Sequence, residues 1–294
     1  MNKNSSKKSM IDIRPGTLYV VATPIGNRDD ITLRALNILR EVDLIAAEDT
    51  RKTRRFLELH AIDSSLISYH EHSETERTPK LIAKLKKGMS IALVSNAGTP
   101  TVSDPGYRLI TATLADDLNV MPIPGVSAAT AALSVAGLPT DSFVFLGFPA
   151  RKKTKRLQQL NDLASEPRTL IFYESPRRIL TLLDEIRDAM GDRYLVLARE
   201  MTKIHEEFLR GRLSEIATQL KGRANIKGEC TLLVAGCDSG SSISWDTIRA
   251  EIRNSLAAEG KHVSEVVRDI AQKYKLPKNK VYEETLKFRN QKTL

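Results

Sequence analysis

Residues 17–27 read Thr17-Leu-Tyr-Val-Val-Ala-Thr-Pro-Ile-Gly-Asn27. The part from Thr17 to Thr23 is rich in β-branched and apolar side chains and runs straight into a Pro/Gly turn. That is the pattern of a buried strand ending in a stiff loop. The same signature returns twice. Ser90-Ile-Ala-Leu-Val-Ser95 leads into Asn96-Ala-Gly-Thr-Pro100, and Val120–Ile123 leads into Pro124-Gly-Val-Ser127. Glycine permits positive φ and close backbone approach, and proline fixes the exit direction of the chain. Ligands of open α/β sheets bind outside the carboxyl ends of the strands. Three such turns at one sheet edge therefore describe a preformed cleft for a small ligand.

Working outward, β-rich runs alternate with helical patterns through the first 150 residues. Leu33–Val42 reads as an amphipathic helix, Asp43–Ala47 and Leu66–Tyr69 as strands, and Tyr107–Ala115 and Val126–Val135 as helices. This rhythm argues for a mostly parallel sheet. A basic connection, Arg151-Lys-Lys-Thr-Lys-Arg156, precedes a second unit with strands at Leu170–Tyr173, Tyr194–Ala198 and Cys230–Ala235 and a helix over Arg177–Met190 entered through Pro176. Gly236–Ser244 is rich in Ser and Gly and reads as a linker. Beyond it, helices are predicted over Trp245–Ala258, Val263–Tyr274 and Lys278–Lys287. The last two are joined by Lys275-Leu-Pro277 in the manner of a helix-turn-helix pair. The domain plan is a basic tail over 1–15, α/β domains over 16–125 and 126–238, and a linker with helical appendage over 239–294.

Composition narrows the function classes. The chain has 294 residues, 41% hydrophobic and 28% charged, within the globular range. Lys and Arg number 45 against 36 Asp and Glu, a net charge of +9 that suits a polyanionic partner. Aromatic residues at 5% speak against a base-stacking platform. Cys230 and Cys237 are too few for a disulfide framework or a zinc site and suit a reducing, cytoplasmic setting. The uncharged stretch Leu118–Thr140 is broken by Pro122, Pro124, Gly125, Gly137 and Pro139, so no membrane span is expected. Dinucleotide, P-loop and nucleophile-elbow fingerprints are absent. His70-Glu71-His72 lacks a matching third ligand, so no metal is expected.

The ordered blocks TLYVVATPIGN, DLIAAEDTR, SYHEH, ALVSNAGTPTVSDPGYRLI, PIPGVSAATAALSVAGLP, FYESPRR, LVLARE and KGECTLLVAG resemble the tetrapyrrole-methylase superfamily of S-adenosylmethionine enzymes. Within it they are most similar to the bacterial small-subunit rRNA cytidine 2′-O-methyltransferases. The resemblance covers Gly16 to Ala235 and, more weakly, the C-terminal helices. It implies an α/β fold of two domains with an S-adenosylmethionine cleft between them, a small helical appendage, and a homodimer. It further implies an enzyme acting on small-subunit rRNA or the assembled 30S subunit. By the same resemblance, Asn96, Ala97, Gly98, Thr99, Ser103, Asp104, Pro124 and Ser127 line the cofactor pocket, with Phe172 and Tyr173 facing it from the second domain. Phe172 suits plain core packing equally well. The family pattern has Asp where this chain has Asn96, which keeps an acceptor oxygen but loses the charge.

Methyl transfer from a sulfonium to a ribose hydroxyl needs alignment and a proton acceptor. Glu48 and Glu200 are the leading candidates, with Asp49 and Glu174 behind them. Each carboxylate also suits a helix cap or an ion pair. Phosphate contacts are expected from Arg51, Lys52, Arg54 and Arg55, from Arg151, Lys152, Lys153, Lys155 and Arg156, and from Lys278 and Lys280. A small-molecule tetrapyrrole methylase or a non-catalytic RNA-binding protein is the alternative.

Overall fold

The computed structural model describes residues 13–237, 245–257, 262–274 and 278–290. Of the expected features, the tail before Ile13, the linker from 238 to 244, the helix end at Ala258 and the turn at 275–277 lie outside the described residues. The rest falls into two compact units divided after Gly236.

The first unit opens with β1 (Thr17–Val21), α1 (Leu33–Glu41), β2 (Leu44–Ala47), α2 (Thr50–Leu59), β3 (Leu66–Ser68), α3 (Glu74–Lys86), β4 (Ile91–Val94), α4 (Tyr107–Ala115) and β5 (Asn119–Ile123). The five strands pair in the order β3-β2-β4-β1-β5, every pairing parallel. β2 and β4 are buried at each position. That is why their sequences, LIAA and IALV, are continuously apolar rather than alternating. One sheet face carries Tyr19, Val21, Ile45 and Val94 under Ile38, Leu39 and Leu57, and the other carries Leu18, Leu44 and Leu93 under Leu81, Leu85 and Leu109. Helix starts follow local capping. Thr32 accepts from the Ala35 amide at 3.1 Å, and Asp49 accepts from the Arg51 amide at 2.9 Å. The Arg51 guanidinium and the Arg51 and Lys52 amides hold the Asp49 carboxyl below its ordinary range. Asp49 is a cap.

α5 (Ala128–Ala136) carries the chain onward. Its Ala129, Ala132, Leu133 and Ala136 pack on Ile171, Val196, Ala198 and Leu233 of a second sheet. Small side chains let helix and sheet approach closely. That sheet contains β6 (Phe143–Gly147), β7 (Thr169–Glu174), β8 (Tyr194–Arg199), β9 (Glu207–Arg212) and β10 (Cys230–Val234), with α6 (Lys153–Asp162), α7 (Ile179–Met190) and α8 (Leu213–Lys221) between them. The order is β6-β7-β10-β8-β9; β6 and β7 are parallel and the other pairings antiparallel. The sequence pattern missed both edge strands. β9 reads as charged, and β6 sits before the basic run, which therefore lies inside the second sheet's portion of the chain instead of linking the two sheets.

The second unit holds α9 (Trp245–Ala257), α10 (Val263–Lys273) and α11 (Lys278–Asn290). Ile248, Ile252, Val266, Val267, Ile270 and Val281 form its core. Arg249 Nε donates to Glu284 Oε2 at 2.7 Å across α9 and α11. Among the described residues no helix is long and apolar enough to cross a membrane.

One expected RNA contact proves structural. Arg156 is 8% exposed and grips Glu185 with two hydrogen bonds of 2.6 and 2.8 Å, while its Nη1 donates to the Ala150 and Arg151 carbonyls. Glu185 raises the Arg156 pKa and is itself 6% exposed. Truncating one partner strands a buried charge. Arg156→Ala is expected to cost about 3–5 kcal/mol in urea unfolding. The exposed Lys152, Lys153 and Lys155 should each tolerate Ala within about 0.5 kcal/mol.

Candidate active site

Because the first sheet is parallel, the loops after β1, β4 and β5 emerge at one edge, and adjacent strand order sets them side by side. They are tied together. The Thr23 amide donates to the Gly98 carbonyl at 2.8 Å and the Gly98 amide to the Thr23 carbonyl at 2.9 Å. Thr99 Oγ1 donates to the Val126 carbonyl at 3.3 Å. Glu48, just past β2, accepts from the Asn96 amide at 3.0 Å and fixes the start of the middle loop. Gly98 sits at φ +75°, which L side chains rarely adopt. Thr101 and Ser103 also have positive φ, 73° and 67°, so strain collects where the loop passes the cleft.

The second sheet closes over this edge. β10 runs antiparallel to β7, pairing Thr231 with Tyr173 and Cys230 with Glu174, so the start of one strand meets the end of the other. The result is a cavity of about 320 Å³. Ile25, Ala97, Gly98, Thr99, Val102, Ser103, Asp104, Ser127 and Ala128 line it from one side, and Phe148, Tyr173, Glu174, Ser175, Glu229, Cys230 and Thr231 from the other. Tyr173 accepts from the Ala129 amide at 3.1 Å and packs edge-on against Phe145 and Phe148.

A second cavity of about 390 Å³ adjoins the first, sharing Ile25, Ala97 and Glu229 with it. Its charged lining is Arg28, Lys52, Arg55, Lys203 and Glu229, and its neutral lining includes Pro24, Phe56, Leu59 and Asn96.

The two cavities differ in sign. In the first, burial and the neighbouring Glu48 and Glu229 carboxylates push the Asp104 carboxyl up to about 6, against a lowering by the Ser95 hydroxyl. Glu174, 2% exposed, lies 2.9 Å from the Arg178 guanidinium. Burial pushes the Cys230 thiol up to about 12. A protonated thiol is no nucleophile. Among the described residues no His, Cys, Asp and Glu side chains are grouped as metal ligands, and the His70 and His72 rings lie edge-on 6.1 Å apart.

Comparison with known proteins fixes the family. The profile of the Tetrapyrrole (Corrin/Porphyrin) Methylases matches residues 17–217. The chain is 46% identical over 276 residues to ribosomal RNA small subunit methyltransferase I of Synechocystis sp., covering 93% of this chain and 98% of that protein. It is 44% identical over 272 residues to the protein of that name from Micromonospora olivasterospora, covering 92% and 86%. The chain belongs to the ribosomal RNA small subunit methyltransferase I group of the tetrapyrrole methylases. Solved structures share the fold of this family. The methyltransferase CobJ superposes with a TM-score of 0.58 at 20% identity, over 76% of this chain and 95% of that one. Uroporphyrin-III C-methyl transferase from Thermus thermophilus, complexed with S-adenyl homocysteine, gives 0.54 at 18%, over 74% and 97%.

In this tetrapyrrole methylase the structure gathers Ala97, Gly98, Thr99, Ser103, Asp104, Ser127 and Tyr173 around the first cavity. Asn96 is exposed and lines the second cavity instead. Pro124 is exposed and lines neither. Phe172 is corrected outright. Successive side chains of a strand face opposite ways, so with Tyr173 toward the cavity, Phe172 is fully buried among Leu182, Ile186 and Leu232. Glu200 is also corrected, because its Oε1 accepts from Lys203 Nζ at 2.7 Å and from the Glu229 amide at 3.0 Å. Lys203 holds its carboxyl below the ordinary range, which ill suits a proton acceptor. Of the α2 cations, Lys52 and Arg55 line the second cavity, whereas Arg51 and Arg54 do not. Lys278 is exposed on α11, and the Lys280 side chain lies outside the described residues.

Sequence reasoning missed Arg28, Phe148, Lys203, Glu229 and Thr231. All but Arg28, which directly follows the β1 loop, reach the cleft through pairing across long chain separation, for which no local signal exists.

Asp104 carries a stability consequence. Its folded pKa is raised, so its contribution is fully present below about pH 4 and is lost as pH rises through about 6. Asp104→Asn is expected to stabilise the fold above pH 6 by about 1–2 kcal/mol and to flatten stability between pH 4 and 6. Urea unfolding across pH checks this.

Proposed function

We propose that this methyltransferase transfers a methyl group from S-adenosylmethionine to the ribose 2′-hydroxyl of a cytidine in small-subunit ribosomal RNA, free or assembled in the 30S subunit. The charge difference between the adjoining cavities carries the reading. An acidic, partly apolar cavity suits a sulfonium nucleoside, and a basic one beside it suits a phosphodiester chain. The names of the relatives support RNA as acceptor, and the methyltransferase structure with S-adenyl homocysteine supports the donor.

Bound S-adenosylmethionine would supply a methyl group activated on a sulfonium sulfur. The Ala97 and Thr99 backbone, flanking the Gly98 groups taken up by Thr23, offers hydrogen-bond partners for its polar end, and Ile25, Val102 and Phe148 offer an apolar wall for adenine. Asp104 and Glu229 favour a cationic donor over its neutral product, which aids product release. In this reading the transfer takes place at the wall that Ile25, Ala97 and Glu229 share between the cavities, where alignment supplies much of the rate. Glu48 stays in this reading as a proton acceptor beside Asn96, and Glu229 joins it because it faces both cavities. A cytoplasmic homodimer completes the reading: Tyr107 and Leu114, two turns apart on α4 and 75% and 57% exposed, are apolar side chains that a second copy would cover.

The decisive measurement is transfer of labelled methyl to small ribosomal subunits from a strain lacking the protein, with mass mapping of the modified ribose. Absence of transfer, or methylation on a base, overturns the reading. The middle loop is tested by Gly98→Val. A Cβ there would lie 3.5 Å from Ile25 Cγ2, so space is adequate, but a β-branched residue at φ +75° is strained and intrudes on the cavity. The variant is expected to keep a cooperative unfolding transition and lose S-adenosylmethionine binding at least about tenfold by calorimetry.

A further inference from the structure

We infer that the second cavity seats the acceptor nucleotide, with Lys203 as the positioning residue for its backbone phosphate. This rests on the functional reading above and deepens it.

The first support is helical geometry. Lys52, Arg55, Phe56 and Leu59 stand at positions i, i+3, i+4 and i+7 of α2, the spacing that brings side chains onto one face. All four line the cavity together with the largely buried Thr53, while Leu57 points into the core. The face offers two cations beside an aromatic ring and an aliphatic side chain. Phosphate and base of one nucleotide ask for that combination. Arg28, after β1, adds a third cation, and Asn96 adds an amide able both to donate and to accept.

The second support is the way Lys203 is held. Its Nζ donates to Glu200 Oε1 at 2.7 Å and to Glu229 Oε2 at 3.1 Å. Burial disfavours the ammonium, yet the two carboxylates outweigh it and keep the pKa above its ordinary value. Its stem packs tightly on the loop after β1: a Cβ on Gly26 would come within 2.5 Å of Lys203 Cγ. The Asn27 amide donates to Thr202 Oγ1 at 2.9 Å. Glu200 and Thr202 both take positive φ, so the loop is held in a strained form. A lysine fixed this way has already lost the side-chain freedom that a surface lysine gives up on binding.

The pairing is also exchangeable. The Glu229 side chain is 75% exposed, and an ion pair of that kind holds weakly. An ammonium has three donors. A phosphate oxygen arriving in the cavity can take the place of Glu229, leaving Glu200 as the anchor. Glu229 is then free at the wall shared with the donor cavity. Nucleotide entry and release of that carboxylate become one event.

The test uses the full chain, a short fluorescein-labelled RNA of mixed sequence and small ribosomal subunits. One phosphate contact contributes about fivefold to affinity near 0.15 M salt and about one unit of log–log salt slope. Lys203→Gln and Arg55→Ala are each expected to weaken RNA binding about fivefold and to lower the slope by about 1. Both should raise the KM for subunits more than they lower kcat, with S-adenosylmethionine affinity within about twofold of the original. Lys203→Arg should restore most of the RNA affinity, and Arg54→Ala, outside the cavity lining, should change it less than about twofold. Unchanged RNA affinity and slope in Lys203→Gln and Arg55→Ala overturn the inference. So does a loss of cofactor affinity as large as the loss for RNA, which would assign the cavity to the donor. If the unaltered protein binds RNA with these dependences yet methylates no subunit, the functional reading fails while the binding site stands.

Discussion

The two backbone hydrogen bonds exchanged by Thr23 and Gly98 hold the edge on which the cleft is built. They join the loops after β1 and β4 beyond the last residues of the strands, where a parallel sheet otherwise lets its loops part. The β5 loop is tied in by Thr99 and Val126, and the middle loop is anchored at its start by Glu48. Ile25 and Ala97 belong to the joined loops and line both cavities, so the partition of the cleft depends on this small bridge. Buried backbone groups need partners, and here the loops serve as partners for one another.

That partition is electrostatic as well as steric. Burial and the nearby Glu48 and Glu229 carboxylates raise Asp104 in the first cavity, and the cations of its neighbour come from α2, the β1 loop and the loop before β9. Opposite potentials a side chain apart would be expected to cancel in water. They persist because the groups lie against low-dielectric walls, where charges are screened less than in water. The cost is visible in the positive φ values of Thr101, Ser103, Glu200 and Thr202, which border the cleft.

The first sheet and its loops were legible from sequence because each part has a local cause. LIAA and IALV are apolar throughout as parallel strands must be, and Pro/Gly turns mark the strand ends. The second sheet was less so. β9, with Glu207, Arg210 and Arg212, hides its β character under charge, and pairing with β8 sets it in place. Tyr173 and Phe172 are adjacent and equally aromatic, and only the parity of β7 decides which faces the first cavity. The basic run at 151–156 looked uniform, yet one member, Arg156, turns inward to Glu185. Lys203 and Glu229 lie 26 residues apart and meet through the β8–β10 pairing, so neither announces a role by itself.

The charged character of β9 has another effect. As the last strand of its sheet it offers an edge to which a further strand could add. Glu207 is clasped by Arg223 and Arg199, which hold its carboxyl at about 2, and Arg210 lies over the Phe208 ring while donating to the Val135 carbonyl. An incoming strand would have to strip water from these groups without replacing their partners. An edge so charged and so occupied resists edge-to-edge pairing, and the sheet keeps its last strand to itself.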